Sequence, residues 1–341
     1  MTSELRDIFE SLSRHEDLTR AQARSVFARI MAGQWSEAAI GAVVGAILVK
    51  GESVDELVGA AEAMRDSAVK IACPKDAIDT CGTGGDGVST FNVSTTAALI
   101  AAAAGATVAK HGNRSTSRVS GSTEVLTELG IDVEAETNVV ERCLREIGVG
   151  YLNARRLHPA MKYASPIRQA LPVRTIFNLL GPLTNPAGVK RQLVGVPRRD
   201  LVDKMSQALL QLGTLHAWVV QSDDGLCDVT ITGPSTVAEV RDGSIVRFRI
   251  SPQNVGLPPS PLDALRVSSV KESADAIHAI LAGQPGPRRD HALLNAGAAL
   301  VVAGVAHDLR DGVTQAAHAV DNGAAADKLI QWRILAGVDP S

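Results

Sequence analysis

The stretch Asp79–Thr95, DTCGTGGDGVSTFNVST, holds four glycines and a run of small hydroxyl residues around one large apolar side chain, Phe91. Glycines let the backbone approach an anion closely and turn several N–H groups toward it. Ser94 and Thr95 lie where the next helix would begin, and a helix N-terminus favours negative charge. No GK[ST] follows, and the glycine spacing does not fit the dinucleotide fingerprint. The stretch predicts either a phosphate-binding loop of another type or a structural turn that needs positive φ angles.

The segments on either side of this loop predict an α/β fold. Strands alternate with helices along the chain, which is typical of a sheet with helices on its faces. Residues 225–250 alternate like antiparallel strands, and RTIFNLLGPLTNPAG should break after its first helical turns because of its prolines. The predicted strands and helices include AIDTCG, TVAKHG, RQLVGVP and HAWVVQS as strands, and STTAALIAAAAGA, GSTEVLTELG and DHALLNAGAALVVAGVA as helices.

A second polar loop, Lys110–Ser122 (KHGNRSTSRVSGS), follows the next predicted strand and precedes a helix, as the first loop does. Both loops would then lie at the carboxyl ends of neighbouring strands, where open α/β sheets bind ligands. Lys110, Arg114 and Arg118 could neutralise phosphate charge. The hydroxyl donors of this loop are Ser115, Thr116, Ser117, Ser120 and Ser122. The alternative is a solvated surface loop.

The N-terminal 70 residues predict a small helical unit. Thr19, Ser36 and Ser53 are candidate N-caps of three helices, and Gly33 and Gly51 are candidate ends of the first two. The third helix also carries a capping box, because a glutamate follows its cap by three residues.

The third polar cluster lies within residues 158–188. His158, Arg168 and Arg174 occur there among prolines and apolar residues, and no Asp or Glu lies between His158 and Lys190. An arginine in such surroundings suits a carboxylate, which the guanidinium fork can hold with two hydrogen bonds. The alternative is an ion pair with an acidic residue distant in sequence.

Composition excludes several other classes. The chain has 341 residues, a net charge of −3, 45% hydrophobic residues and 3% aromatic residues, so a sizeable core is expected and a basic or base-stacking surface for nucleic acid is not. The four cysteines form no CxxC pair and predict reduced thiols. The N-terminus lacks an apolar signal core, and TTAALIAAAAGATVA is too short to span a bilayer. We therefore expect a cytoplasmic protein with no membrane partner.

These motifs together resemble a known family, the anthranilate phosphoribosyltransferases. GTGGDG…TFNVST, KHGNRS, HPAMK…R…RTIFNLLGPLTNPAG and LLNAGAALVVAG occur in the family's order and spacing from the first helices to the last. The resemblance implies transfer of a phosphoribosyl group from phosphoribosyl pyrophosphate to anthranilate in tryptophan biosynthesis, with Mg²⁺. It implies an α/β fold of the nucleoside-phosphorylase/anthranilate-phosphoribosyltransferase type, with a small helical domain (1–70, joined by about 170–190) and a large α/β domain (74–341). It also implies a homodimer formed through the helical domains.

The resemblance further implies site residues at the matching positions. Lys110, Asn113 and Arg168 are the expected catalytic residues, and anthranilate is expected near Gly82, Asn113, His158 and Arg168. Ser94 and Asp228 are the expected magnesium ligands. Phosphoribosyl pyrophosphate is expected to contact Gly82, Gly85, Asp86, Thr90, Asn92, Val93, Ser94, Thr95, Lys110, His111, Gly112, Asn113, Arg114, Ser117, Arg118 and Ser122. Orientation and electrostatics would then suffice for catalysis, and no covalent role is expected for Cys81.

Two positions depart from the family pattern. The family usually carries an Asp-Glu pair in a GLDE context that holds magnesium, whereas this chain has Cys227 and Asp228 in DGLCDVTITG. A thiol is a poor ligand for Mg²⁺, so we expect weaker or altered binding of a second ion, with Asp223 and Asp224 as candidate replacements. In the serine loop the basic residue, Arg118, is shifted by one position.

Three alternative functions stay open at this point. A nucleoside phosphorylase of the same architecture would bind a nucleoside and phosphate. A related transferase would use another aromatic acceptor. A non-catalytic relative would bind phosphate-rich ligands such as nucleic acid, although the net negative charge and the intact first loop argue against it.

Overall fold

The computed structural model describes residues 3–115 and 118–337. The chain begins with four helices, α1 (Ser3–Ser13), α2 (Arg20–Met31), α3 (Glu37–Lys50) and α4 (Val54–Ser67). The sequence predicted three, and the N-terminal segment forms the additional one. Ile8 and Leu12 lie one turn apart on α1, and both are buried in the core of the bundle. This stripe of two apolar residues is enough to dock a short helix onto its neighbours.

The predicted N-caps of the bundle are confirmed. Thr19 and Ser53 each form a capping box, with Gln22 and Glu56 as the reciprocal partners. Glu56 is fully buried, and its carboxylate also accepts from the Leu18 amide at 3.0 Å and from Lys50 Nζ at 3.0 Å. One side chain therefore caps α4 and fixes the start of α2 against it.

The rest of the chain forms a mixed seven-stranded sheet in the order β3-β2-β1-β4-β5-β6-β7. The first five strands in chain order are parallel, and the last two are antiparallel to their neighbours. Residues 225–234, which the sequence placed in antiparallel strands, form a largely buried irregular segment instead. The strands are β1 (Ile78–Gly82), β2 (Val108–Gly112), β3 (Val149–Asn153), β4 (Arg191–Gly195), β5 (His216–Ser222), β6 (Ser235–Arg241) and β7 (Ser244–Ile250).

Eleven further α-helices are assigned within the described residues. The predicted buried helix near the C-terminus packs on the first helix after the glycine loop, and the two cover one face of the sheet. The helices are α5 (Val93–Ala103), α6 (Ser122–Glu128), α7 (Thr137–Glu146), α8 (Ala154–Leu157), α9 (Ser165–Ala170), α10 (Phe177–Leu180), α11 (Asp200–Gln211), α12 (Val270–Leu281), α13 (Pro287–Ala303), α14 (Leu309–Asp321) and α15 (Ala324–Ala336). No helix in the described part of the chain has the length and apolar character needed to cross a membrane.

The helical bundle shares its core with the segment between β3 and β4. The rings of Phe27 in α2 and Phe177 in α10 meet edge to face at 5.5 Å, and α9 packs on α3. Ile176, Leu180 and Leu183 belong to the same buried cluster. These contacts bring the third polar cluster beside the two loops. The domain boundaries at 70 and 74 stay a prediction.

Candidate active site

A cavity of about 530 Å³ opens at the carboxyl ends of β1 and β2. Its walls come from the glycine loop, the polar loop after β2, the segment 154–182 and the irregular segment after β5. Because β1 and β2 are parallel neighbours, the loops that follow them begin at the same edge of the sheet, as the sequence predicted. All three polar clusters of the sequence therefore meet in one place.

The charge of this cavity is strongly positive although the chain is net negative. Seven basic side chains line it, and Asp228 is the single carboxylate among the described residues that do so. An excess of positive charge along a cleft attracts anions, so this lining indicates an anionic ligand. The basic residues are Lys110, Arg114, Arg118, Arg155, Lys162, Arg168 and Arg174.

Lys110 is fully buried at the floor of the cavity. Its ammonium donates to the Thr80 carbonyl at 2.7 Å and to Ser94 Oγ at 3.0 Å, which leaves one N–H for a ligand. Burial lowers its pKa, and the charge of nearby Asp79 opposes that shift. Asp79 accepts from the His111 amide and from Asn185, so hydrogen bonds hold its carboxylate beneath the ammonium without a direct ion pair.

The first turn of α5 also faces the cavity. Asn92, Val93 and Ser94 line it, and the positive end of the helix dipole points into the same space. Asn92 Oδ1 accepts from Ser120 Oγ at 2.6 Å and from Ser273 Oγ at 2.7 Å. This side chain therefore fixes the second loop against the first.

The glycine loop departs from the sequence interpretation at Gly85 and Asp86. The Asp86 carboxylate forms a two-point ion pair with Arg118 and accepts from the Cys227 amide at 3.3 Å, so it binds three segments of protein together. Gly85 has φ +91°, and a Cβ there would lie 2.4 Å from the Arg174 guanidinium. Neither residue lines the cavity, because Arg118 and Arg174 lie between them and the open space.

Of the other donor-binding residues expected from sequence, most line the cavity and a few do not. Thr90 and Thr95 are buried behind the first loop, with hydroxyl oxygens that have no partner among the described residues. Ser117 lies outside the described residues. The expected residues that do line the cavity are Gly82, Asn92, Val93, Ser94, Lys110, His111, Gly112, Asn113, Arg114, Arg118 and Ser122.

His158, which was expected at the aromatic acceptor, lies beside His111, which was expected at the phosphoribosyl donor. His111 and His158 lie with ring centroids 5.1 Å apart, and burial lowers their pKa values to about 3 and about 4. Both rings are therefore neutral at pH 7. His111 Nε2 and both nitrogens of His158 have no partner in hydrogen-bonding geometry within the described residues. All three nitrogen atoms are buried, so the two rings form part of the cavity wall.

Arg168 lines this wall without an acidic partner in the described part of the chain. Its guanidinium lies 6.0 Å from the centre of the Phe177 ring, and burial lowers its pKa. The ion-pair alternative considered from sequence does not apply here, because the salt bridges of the described residues do not involve this side chain. A planar cation beside an aromatic ring is suited to an aromatic carboxylate.

The expected metal position offers one carboxylate, from Asp228, and one hydroxyl, from Ser94. Asp228 lines the cavity, and its Oδ2 is buried without a partner among the described residues. Ser94 and Cys227 line the cavity too. Burial raises the pKa of Cys227 to about 12, so its side chain is a neutral thiol. This donor set fits one Mg²⁺ that takes its other ligands from water and substrate phosphate.

Asp223 and Asp224 do not replace the missing carboxylate, so that suggestion from the sequence is wrong. Asp223 pairs with Arg249 on the outer strand. Asp224 accepts from Ser222 and from the Leu226 amide, as well as from two threonines, and neither aspartate lines the cavity. Their carboxylates shape the turn after β5 instead.

Several cavity residues were not selected from the sequence. Arg155 follows the end of β3, the third parallel strand, and the motif YLNARR carries the same strand-then-polar signal as the first two loops. Lys162 and Asn178 lie in the third cluster without a distinguishing pattern. Cys81 also lines the cavity, and burial raises its pKa well above the ordinary value, which keeps the thiol protonated.

Comparison with protein families defines the class first. Residues 74–326 match the family described as "Glycosyl transferase family, a/b domain", and residues 6–68 match the "Glycosyl transferase family, helical bundle domain". The fold and the matches agree on a helical bundle joined to an α/β domain.

Individual relatives then narrow the family. The anthranilate phosphoribosyltransferase of Chloroflexus aurantiacus is 46% identical over 329 residues, which are 96% of this chain and 97% of the relative. That of Anaeromyxobacter sp. (strain K) is 50% identical, over 93% and 94% of the two chains. The crystal structure of the Thermus thermophilus enzyme superposes with a TM-score of 0.91 at 37% identity, over 96% and 99%. This chain belongs to the anthranilate phosphoribosyltransferase family.

A more distant relative shares the fold. The anthranilate phosphoribosyltransferase from Saccharomyces cerevisiae, solved "in complex with PRPP and Mg", matches with a TM-score of 0.89 at 23% identity, over 98% of each chain. The architecture is thus preserved where most of the sequence is not.

Proposed function

We propose that this protein transfers the phosphoribosyl group of phosphoribosyl pyrophosphate to anthranilate, in tryptophan biosynthesis. The C1–O bond to pyrophosphate breaks and its electron pair leaves with the pyrophosphate oxygen. A C1–N bond forms with the anthranilate amine, which then gives up one proton. Seven basic side chains line the cavity against one carboxylate, and this excess of positive charge is the observation that carries the proposal.

The donor is expected at the sheet edge. Lys110 keeps one N–H free there, and the Ser94 hydroxyl and the positive end of the α5 dipole face the same space. These groups are fixed before the substrate arrives, so they can stabilise charge on the leaving oxygens without reorganising. Asn113 and Arg114 extend the same surface toward solvent, and Lys110 and Asn113 are the expected catalytic residues on this side.

The acceptor is expected against the opposite wall. Arg168 would hold the carboxylate, and the neutral His158 ring lines the same wall. With the amine held toward C1, catalysis needs orientation rather than a covalent nucleophile. The protonated Cys81 is consistent with that interpretation.

Magnesium is expected at Asp228 and Ser94. The unpartnered Oδ2 of Asp228 and the neutral Cys227 beside it fit one protein-held Mg²⁺ rather than two. When bound, the ion would neutralise charge on the pyrophosphate.

We also propose a homodimer formed through the helical bundle, in a reducing cytoplasm. Ile40 and Val44 of α3 are buried within the protomer, whereas Val49 at the end of the same helix is 78% exposed. All four cysteines are free thiols. Sedimentation equilibrium would test the dimer, and a concentration-independent monomer mass would exclude it.

The activity is tested by following anthranilate fluorescence in time. Loss of signal that requires both phosphoribosyl pyrophosphate and Mg²⁺ is the expected result. Parallel reactions contain a substituted benzoate as acceptor, or a nucleoside with inorganic phosphate. Turnover only in the nucleoside reaction would establish the phosphorylase alternative, and no turnover in any of them would overturn the transferase.

A further inference from the structure

The Asp228 carboxylate is carried by a segment that has no regular structure. Residues 226–231 are all buried, yet they belong to neither a strand nor a helix. Buried irregular backbone must find partners for its N–H and C=O groups outside a ladder, or it loses several kcal/mol. What satisfies this backbone therefore also decides where Asp228 points.

Asp224, Asp86 and Ser235 accept from the amides of Leu226, Cys227 and Thr230, and two side chains on α13 hold the residues that follow Asp228. Asn295 Oδ1 accepts from the Val229 amide at 2.9 Å, and Asn295 Nδ2 donates to the Val229 carbonyl at 2.8 Å. Asn295 Nδ2 also donates to the carbonyl of His291 at 2.9 Å, which fixes the amide plane. One turn earlier, His291 Nδ1 accepts from the Ile231 amide at 3.3 Å.

The other side of the segment is held by close packing on β4. A Cβ at Gly195 would lie 1.6 Å from the Cys227 carbonyl oxygen, so the end of β4 and this segment are in direct backbone contact. Asn295 is 2% exposed and His291 is fully buried, and neither lines the main cavity. The segment is thus fixed between β4 and α13, with Asp228 directed into the cavity.

We propose that Asn295 is a positioning residue for the metal-binding carboxylate of Asp228. It acts by holding both backbone groups of the next residue, Val229, and His291 supports the same segment two residues further on. This inference rests on the proposed function, in which Asp228 holds Mg²⁺. Polar groups behind a metal ligand typically change metal affinity by about 10- to 100-fold when removed.

The test measures Mn²⁺ binding to the full-length protein by electron paramagnetic resonance, with inorganic pyrophosphate present. Asn295→Leu should weaken Mn²⁺ binding about tenfold or more. Asn295→Gln, which keeps a neutral amide able to donate and accept, should have a smaller effect and serves if the leucine variant does not fold. Val302→Ala, a buried change on the same helix away from the segment, is the control that lowers stability without changing the Mn²⁺ dissociation constant.

A double-mutant cycle gives the decisive comparison. In the Asp228→Asn background, Asn295→Leu should have no further effect on Mn²⁺ binding, because its influence passes through the missing carboxylate. Additive losses would overturn the proposal. Unchanged Mn²⁺ binding in Asn295→Leu would also overturn it, provided that Asp228→Asn binds Mn²⁺ more weakly than the original protein. If Asp228→Asn itself binds Mn²⁺ normally, the positioning proposal and the metal assignment both fail, while anthranilate turnover independently reports whether the proposed reaction stands.

Discussion

Replacing Arg168 by glutamine tests the assignment of the acceptor wall. The guanidinium is partly buried, has no acidic partner in the described part of the chain, and lies 6.0 Å from the Phe177 ring centre. Its desolvation is therefore not compensated until a ligand carboxylate arrives. Glutamine keeps a shorter, neutral hydrogen-bonding side chain and removes both the charge and the planar fork.

The magnitude follows from the lost interaction. A hydrogen bond to a charged group contributes about 1.5–3 kcal/mol, which corresponds to a rise of about 10- to 150-fold in the KM for anthranilate. The KM for phosphoribosyl pyrophosphate should stay within about twofold, because the donor is expected at the sheet edge. The KM for anthranilate of Arg168→Lys should lie between those of the original protein and Arg168→Gln, since lysine restores the charge without the fork.

The same substitution makes an opposite prediction for stability. Because Arg168→Gln removes an unpaired, partly buried charge, the unfolding midpoint in urea should be unchanged or higher. Arg198→Gln is the matched control, since Arg198 pairs with Asp200 at an exposed site outside the cavity. A rise in the KM of the donor with no change for anthranilate would refute the assignment.

Three other predictions concern the metal, the histidines and the glycine loop. Cys227→Asp restores a hard oxygen ligand and should shift the Mg²⁺ optimum to lower concentration, and unchanged activity with unchanged Mg²⁺ dependence would contradict the expectation. Burial lowers the pKa of His158 to about 4, so the folded ring stays neutral while the unfolded ring takes up a proton below about pH 6.5. The free energy of unfolding therefore falls as the pH drops from about 6.5 toward 4. In urea unfolding, His158→Asn should lose about 2 kcal/mol less stability than the original protein between pH 7.5 and pH 5. Equal losses in the two proteins would contradict this. Gly85→Ala and Gly87→Ala both impose about 1–2 kcal/mol of strain at positive φ. Gly85→Ala also displaces Arg174, which donates to the Thr83 carbonyl of the glycine loop at 2.7 Å, so it alone should weaken donor binding in calorimetry. Equal donor affinities of the two variants would contradict this.

Local signals in the sequence predicted the elements that depend on neighbouring residues. The caps at Thr19 and Ser53 act within one turn, and the strand-then-loop pattern of β1 and β2 is written in adjacent residues. These features depend on nothing outside their own segments, so composition and spacing were enough to find them. The helix α1 was missed because its apolar stripe is short, with Ile8 and Leu12 as its buried residues.

Contacts between distant segments could not be predicted in this way. The ion pair of Asp86 with Arg118 joins residues 32 positions apart, and the bond from the Cys227 amide to Asp86 spans 141 positions. Sequence reasoning assigned both charged side chains to phosphate, because nothing local shows that each has the other as a partner. Residues 225–234 likewise alternate as a strand does, yet the side chains of α13 satisfy their backbone instead of a neighbouring strand.

The distribution of unpartnered groups indicates function more directly than any motif. Nine buried side-chain nitrogen or oxygen atoms lack a hydrogen-bond partner among the described residues, and four of them belong to the cavity residues His111, His158 and Asp228. Each such atom costs about 1–3 kcal/mol if nothing occupies the site. Arg168 adds an unpaired cation to the same walls. The other five such atoms belong to residues that do not line the cavity, so a missing partner points to a ligand only where the atoms border a cleft, as these four do.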